Sequence, residues 1–128
     1  MSTPLSGLRV IDFTHVLAGP ACSYYLGLLG AEVIKVESLE KGDAMRHRGG
    51  TDAVASAEGM STAYQTQGAG KKSIALDLAS PSGAAVMRRL LESADIFVEN
   101  HLPVSMAALD LDPDSVRAIN PRIIHCSL

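Results

Sequence analysis

Short runs of aliphatic and β-branched residues recur at positions 8–13, 31–37, 73–78, 96–98 and 123–128. Each is too short for a buried helix and is bounded by glycine, proline or polar residues, so each reads as a buried strand. Between the first two, Gly19-Pro20 opens a stretch with helical character that reaches Leu29. Pro20 suits a first helical turn, and Gly30 stands where a left-handed cap closes a helix. A strand, a helix and a strand in this length make a βαβ unit, and such a crossover imposes parallel pairing.

Residues 80–94 repeat the pattern. Ser80 is placed to cap a helix with Pro81 at its first position, and Val86, Met87, Leu90, Leu91 and Ala94 form an apolar stripe. Asp112-Pro113 starts another helix, with Leu111 and Val116 spaced as a hydrophobic staple. Strands alternating with capped helices predict an α/β fold, a Rossmann-like open parallel sheet with flanking helices.

Residues 38–72 break the rhythm. Six glycines, mixed charges and no period predict an extended loop or arm. A structureless stretch of that length inside a compact domain is uncommon and is usually functional or contacts another part of the protein. This arm is expected to be mobile and poorly packed on its own domain.

Composition narrows the picture. Apolar residues are 47% but aromatics only 4%, so the core must be aliphatic. A net charge of −3 without a Lys/Arg block argues against a nucleic-acid surface. Cys22 and Cys126 lie far apart in sequence, match no metal spacing and read as free thiols of a reducing compartment. Positions 1–5 lack a basic and an apolar leader segment, and no apolar run reaches membrane-spanning length. A soluble, cytoplasmic protein with no membrane contact and no bound metal is expected. The final run has no loop after it, which reads as a fragment of a longer protein.

Candidate chemistry is sparse. Gly27 and Gly30 with Glu37 suggest a dinucleotide site, but the fingerprint glycines should follow the first strand directly. They do not, so Gly30 reads as a helix cap and NAD binding is disfavoured. Ligands of open α/β sheets sit beyond the carboxyl ends of the strands. That rule gathers residues 14–18, Ser38, residues 77–79 and residues 100–102 on one edge. His15 falls in the first such loop, and His101 follows a strand end. His125, inside a strand, reads as a hydrogen-bonded core residue, and His47 as solvated. Lys71 and Lys72 read as a solvated pair, and Cys22 as a small buried residue. Asp95 and Glu99 stand at opposite ends of a strand and form no dyad.

One resemblance carries further. The run Pro4-Leu-x-Gly7-Leu-x-Val10-Ile-Asp12-Phe-Thr14-x-Val16-x-Ala18-Gly19-Pro20 resembles the opening of class III CoA-transferases. The likeness continues in order through residues 29–37, Gly42-Asp43-x-x-Arg46, residues 72–78, Ala94-Asp95-x-x-Val98-Glu99-Asn100 and residues 120–127. It implies the N-terminal part of the CoA-binding large domain, spanning residues 1–128.

By the same resemblance, CoA moves from an acyl-CoA resembling formyl-CoA or succinyl-CoA to a carboxylic acid. An aspartyl intermediate carries the transfer, with the catalytic aspartate outside this chain, so the fragment alone is expected to be inactive. CoA contacts are implied at His15, Val16, Leu17, Ala18, Ser38, Leu76, Asp77, Leu78, Ala79, Asn100, His101 and Leu102, with Ala108 nearby. Formyl-CoA transferases tend to carry Gln at position 17, family members often carry Arg at position 38 and near 108, and Asn100 is commonly followed by Phe-x-Pro-Gly. Here Leu17, Ser38, Ala108 and His101-Leu102-Pro103-Val104 stand instead. Two missing cations imply a weaker hold on phosphates, at ~1.5–3 kcal/mol per charge-assisted bond. An interlocked homodimer is the implied assembly. An acyl-CoA racemase, and a non-catalytic CoA-binding or dimerisation module, are the alternatives.

Overall fold

The computed structural model describes residues 3–128. Met1 and Ser2 lie outside the described residues. Strands β1 (Arg9–Phe13), β2 (Glu32–Ser38), β3 (Lys72–Leu76), β4 (Ile96–Glu99) and β5 (Ile124–Ser127) form one sheet. Its order is β3-β2-β1-β4-β5, and every neighbouring pair is parallel. The α/β expectation is met, with each strand within two residues of its predicted ends.

Helices α1 (Ala18–Leu28), α2 (Ala53–Ala57), α3 (Thr62–Gly68), α4 (Pro81–Glu92), α5 (Pro103–Ala108) and α6 (Pro113–Ile119) cover the sheet. The two-residue period of the strands divides the core. Val10, Val33 and Val98 pack with Ala31, Cys22 and Leu26 under α1. Ile11, Val36 and Phe97 face the other way, against Met87 and Leu91 of α4, Met106 of α5 and Val116 of α6. The caps are those the sequence predicts: Ser80 accepts from Gly83 N, and Asp112 from Asp114 N and Ser115 N. Gly30 closes α1 at φ 104°, a conformation that costs glycine little. Helix α5 was not expected. It starts at Pro103, and no side chain caps its first turn.

The segment 38–72 departs most from expectation. It holds a 3-10 turn at Ala44–Arg46 and helices α2 and α3, and α3 packs against α1 of the same chain. Asp52 and Ser61 cap the two helices, and Ser61 is fully buried. Its order comes from polar contacts and not from an apolar stripe, which is why hydrophobic periodicity gave no sign of it.

Candidate functional site at the carboxyl edge of the sheet

The chain reverses direction across the sheet between β1 and β4, because β2 and β3 lie to one side and β4 and β5 to the other. Crevices form at such switch points. A cleft of about 600 Å³ opens beside that point, beyond the carboxyl ends of β1, β2 and β3, with His101 from the loop after β4 on its wall. Phe13, Thr14 and His15 supply one wall, the turn after β2 from Ser38 to Ala44 a second, and Leu76, Asp77 and Leu78 a third, with His101 and Leu109 closing it. His101 stacks on Phe13 at 4.1 Å, and its ring centroid lies 4.7 Å from that of His15. Burial, and the neighbouring His15, push the His101 imidazole below its ordinary pKa, so it is neutral at pH 7.

Of the residues expected to meet CoA, the cleft gathers His15, Ser38, Leu76, Asp77, Leu78 and His101. The others lie off its lining. Leu17 and Leu102 are 62% and 69% exposed, and Ala18, Ala79 and Ala108 are exposed as well. Val16 faces a smaller hollow with Lys35, Asp43, Tyr64 and Lys71. The Asn100 side chain is engaged by the His15 backbone.

Beneath the loop after β1 lies a polar network that the sequence reading missed. Asp12 of β1 and Lys35 of β2 are register partners, and both are buried on the α1 side of the sheet. They do not pair with each other. Lys35 Nζ meets Asp43 Oδ2 at 2.9 Å and donates to Thr14 O at 2.8 Å. Asp12 accepts from Ser23 and Thr14, and from Lys71 Nζ at 2.9 Å. The Lys71 side chain is only 3% exposed, which corrects the solvated reading for that residue. The chain curls at Gly70 (φ 76°) and carries Lys71 under α1, where it also donates to Pro20 O and Ser23 Oγ. Lys72 is the solvated member, paired with Glu32.

Glu37 is a further buried charge. Its carboxylate accepts from Arg46 Nε and Nη2, the Asp43 amide, Tyr64 OH and Ser73 Oγ, all at 2.7–2.8 Å. Burial alone would raise its pKa. The Arg46 pair and the bonds from Asp43, Ser73 and Tyr64 outweigh burial and hold it at about 2. Arg46 also lies over the Tyr64 ring, 4.1 Å from its centroid. The Gly42-Asp43-x-x-Arg46 block was thus visible in the sequence, but its role as the anchor of segment 38–72 was not.

Two further expectations need amendment. His125 is buried, but neither ring nitrogen has a hydrogen-bond partner, and the nearest carboxylate oxygen, of Glu99, is 3.6 Å away. Cys22 and Cys126, distant in sequence, border the same core cluster as free thiols. Burial, then Cys126 itself, push the Cys22 thiol up in pKa, which makes it a poor nucleophile. Among the described residues no group of three or more His, Cys, Asp or Glu is placed to hold a metal ion. No described helix is long and apolar enough to cross a membrane.

The family model described as CoA-transferase family III matches residues 5–128. The chain belongs to that family. Among curated relatives, a succinate–glutarate CoA-transferase from Agrobacterium fabrum is 45% identical, covering 98% of this chain and 32% of the relative. A formyl-CoA:oxalate CoA-transferase from Escherichia coli is 37% identical, covering 100% of this chain and 30% of the relative. Among solved structures, a CAIB/BAIF family protein from Brucella suis superposes with a TM-score of 0.88 at 37% identity, over 99% of this chain and 33% of that one. The chain therefore spans about a third of the length of the family members it matches.

Proposed function

We propose that the protein is a CoA-transferase that moves CoA from an acyl-CoA resembling succinyl-CoA or formyl-CoA to a carboxylic acid, this chain supplying part of the CoA-binding domain. The observation that supports the reading most directly is the cleft at the carboxyl edge of the sheet. Its walls bring together His15, Ser38, Leu76, Asp77, Leu78 and His101, six of the positions at which the resemblance implies CoA contacts. Phe13, Leu76, Leu78 and Leu109 offer apolar surface to a pantetheine arm, and the turn residues offer backbone groups.

The chemistry runs through a carboxylate outside this chain. That carboxylate attacks the thioester carbonyl, forming a mixed anhydride and releasing CoA thiolate. The thiolate then attacks the aspartyl carbonyl, giving an enzyme thioester and freeing the first acid. The acceptor carboxylate and the same two steps in reverse complete the exchange. The full-length protein is proposed to work as a cytoplasmic, interlocked homodimer. The test is to incubate it with succinyl-CoA and glutarate, or formyl-CoA and oxalate, and to follow the new acyl-CoA by chromatography. Transfer in one pair is expected. Absence of transfer in both, together with no CoA binding by calorimetry, would overturn the reading.

A further inference from the structure

Asn100 follows the last residue of β4, and both ends of its side chain are used within the protein. Its carbonyl oxygen accepts from His15 N at 2.9 Å, and its amide nitrogen donates to His15 O at 2.9 Å. The other ends of the same two peptide groups are held too. Lys35 Nζ donates to Thr14 O at 2.8 Å, and Asp43 Oδ1 accepts from Val16 N at 3.4 Å. Three consecutive residues are thus gripped by side chains from three different parts of the sheet edge.

The grip coincides with strain. Val16 has φ 70°, a left-handed conformation that a β-branched residue rarely adopts. Such conformations cost ~1–3 kcal/mol and persist only where surrounding structure over-determines them. What the strained turn achieves is visible on both sides of it. It places the His15 ring on the cleft wall. It also starts α1 at Ala18 with no side chain capping its first turn, so the amides there stay open.

We propose that Asn100 is a positioning residue for the CoA cleft, locking the His15–Val16 turn in its strained form and acting on the ligand only through that turn. This rests on the CoA-binding reading above and reassigns the residue, since resemblance alone implies a direct ligand contact. The amide is well suited to the task. His15 presents one backbone donor and one backbone acceptor, and a carboxamide offers an acceptor and a donor side by side in one plane to meet both.

The experiment uses the full-length protein with two variants, Asn100→Ala and Asn100→Asp. The aspartate keeps the acceptor for His15 N but loses the donor to His15 O, and its near-identical shape guards against a variant that fails to fold. Hydrogen exchange of a peptide spanning residues 13–17 is measured without ligand, and CoA affinity by calorimetry. In Asn100→Ala, exchange of the His15 and Val16 amides is expected to rise ~10-fold or more, with CoA binding weakened ~10-fold or more. Asn100→Asp should fall between it and wild type in both. Weakened CoA binding with unchanged exchange in the free protein would mean a direct ligand contact and overturn the proposal. Faster exchange with unchanged CoA affinity would overturn it equally. If the wild type itself binds no CoA, the transferase reading fails, and the exchange measurement still judges the clamp.

Discussion

Replacing Glu37 by glutamine should cost the protein about 3 kcal/mol of stability at pH 7. The carboxylate is buried at the end of β2 and faces only donors: two guanidinium nitrogens, a backbone amide and two hydroxyls. Its pKa stands at about 2 against an ordinary 4.5. At ~1.4 kcal/mol per tenfold change in proton affinity, folding favours the charged form by about 3 kcal/mol. Glutamine turns one edge of the group into a donor, which must oppose Arg46, Tyr64, Ser73 or the Asp43 amide. It also leaves the half-buried Arg46 without its counter-charge. The sign with pH follows from the direction of the shift. A pKa depressed by folding gives stability that is complete above about 4.5 and is lost as pH falls towards about 2. Urea unfolding of wild type and Glu37→Gln, at neutral pH and at about pH 3, reads both effects. The gap should be largest at neutral pH and should narrow on acidification. A gap below ~1 kcal/mol at neutral pH, or one that does not narrow, would refute the reasoning.

The same logic separates two adjacent lysines. Lys71→Met leaves Asp12 buried without a counter-charge and should lower stability by ~3 kcal/mol, whereas Lys72→Met breaks an exposed pair and should cost under ~1 kcal/mol, both read by urea unfolding. Gly19→Ala would put a Cβ 2.4 Å from Thr14 Cβ, which is itself buried. A loss of ~1–3 kcal/mol is expected, with a displaced 14–17 turn in a crystal structure of the variant.

The fold was legible because its signals are local. Apolar runs bounded by turn residues gave the strands, and Ser80-Pro81 and Asp112-Pro113 gave helix starts whose side chains accept the amide hydrogens as expected. Segment 38–72 was illegible for the complementary reason. Asp43, Arg46 and Ser61 order it by reaching Lys35, Glu37 and the backbone of Met45, and none of those partnerships leaves a periodic mark in the chain. Helix α5, six residues long with Met106 as its one buried residue, has too short a stripe to stand out.

The polar network had a signal that strand-by-strand reading passes over. Asp12, Lys35 and Glu37 alternate with apolar neighbours, and in an isolated strand that alternation suggests a solvated face. A parallel sheet covered on both sides has no such face. Once the βαβ pattern is accepted, charges inside β1 and β2, two neighbouring interior strands, must be buried, and buried charges require partners. The need for partners therefore follows from topology, but their identity does not. Asp43 comes from the turn after β2 and Lys71 from the turn before β3, and both arrive only when segment 38–72 is folded against α1. The segment that looked like a free arm is in this way the source of two of the charges that hold the cleft's first loop. Its glycines Gly42 and Gly70, at φ 64° and 76°, permit the turns that deliver them.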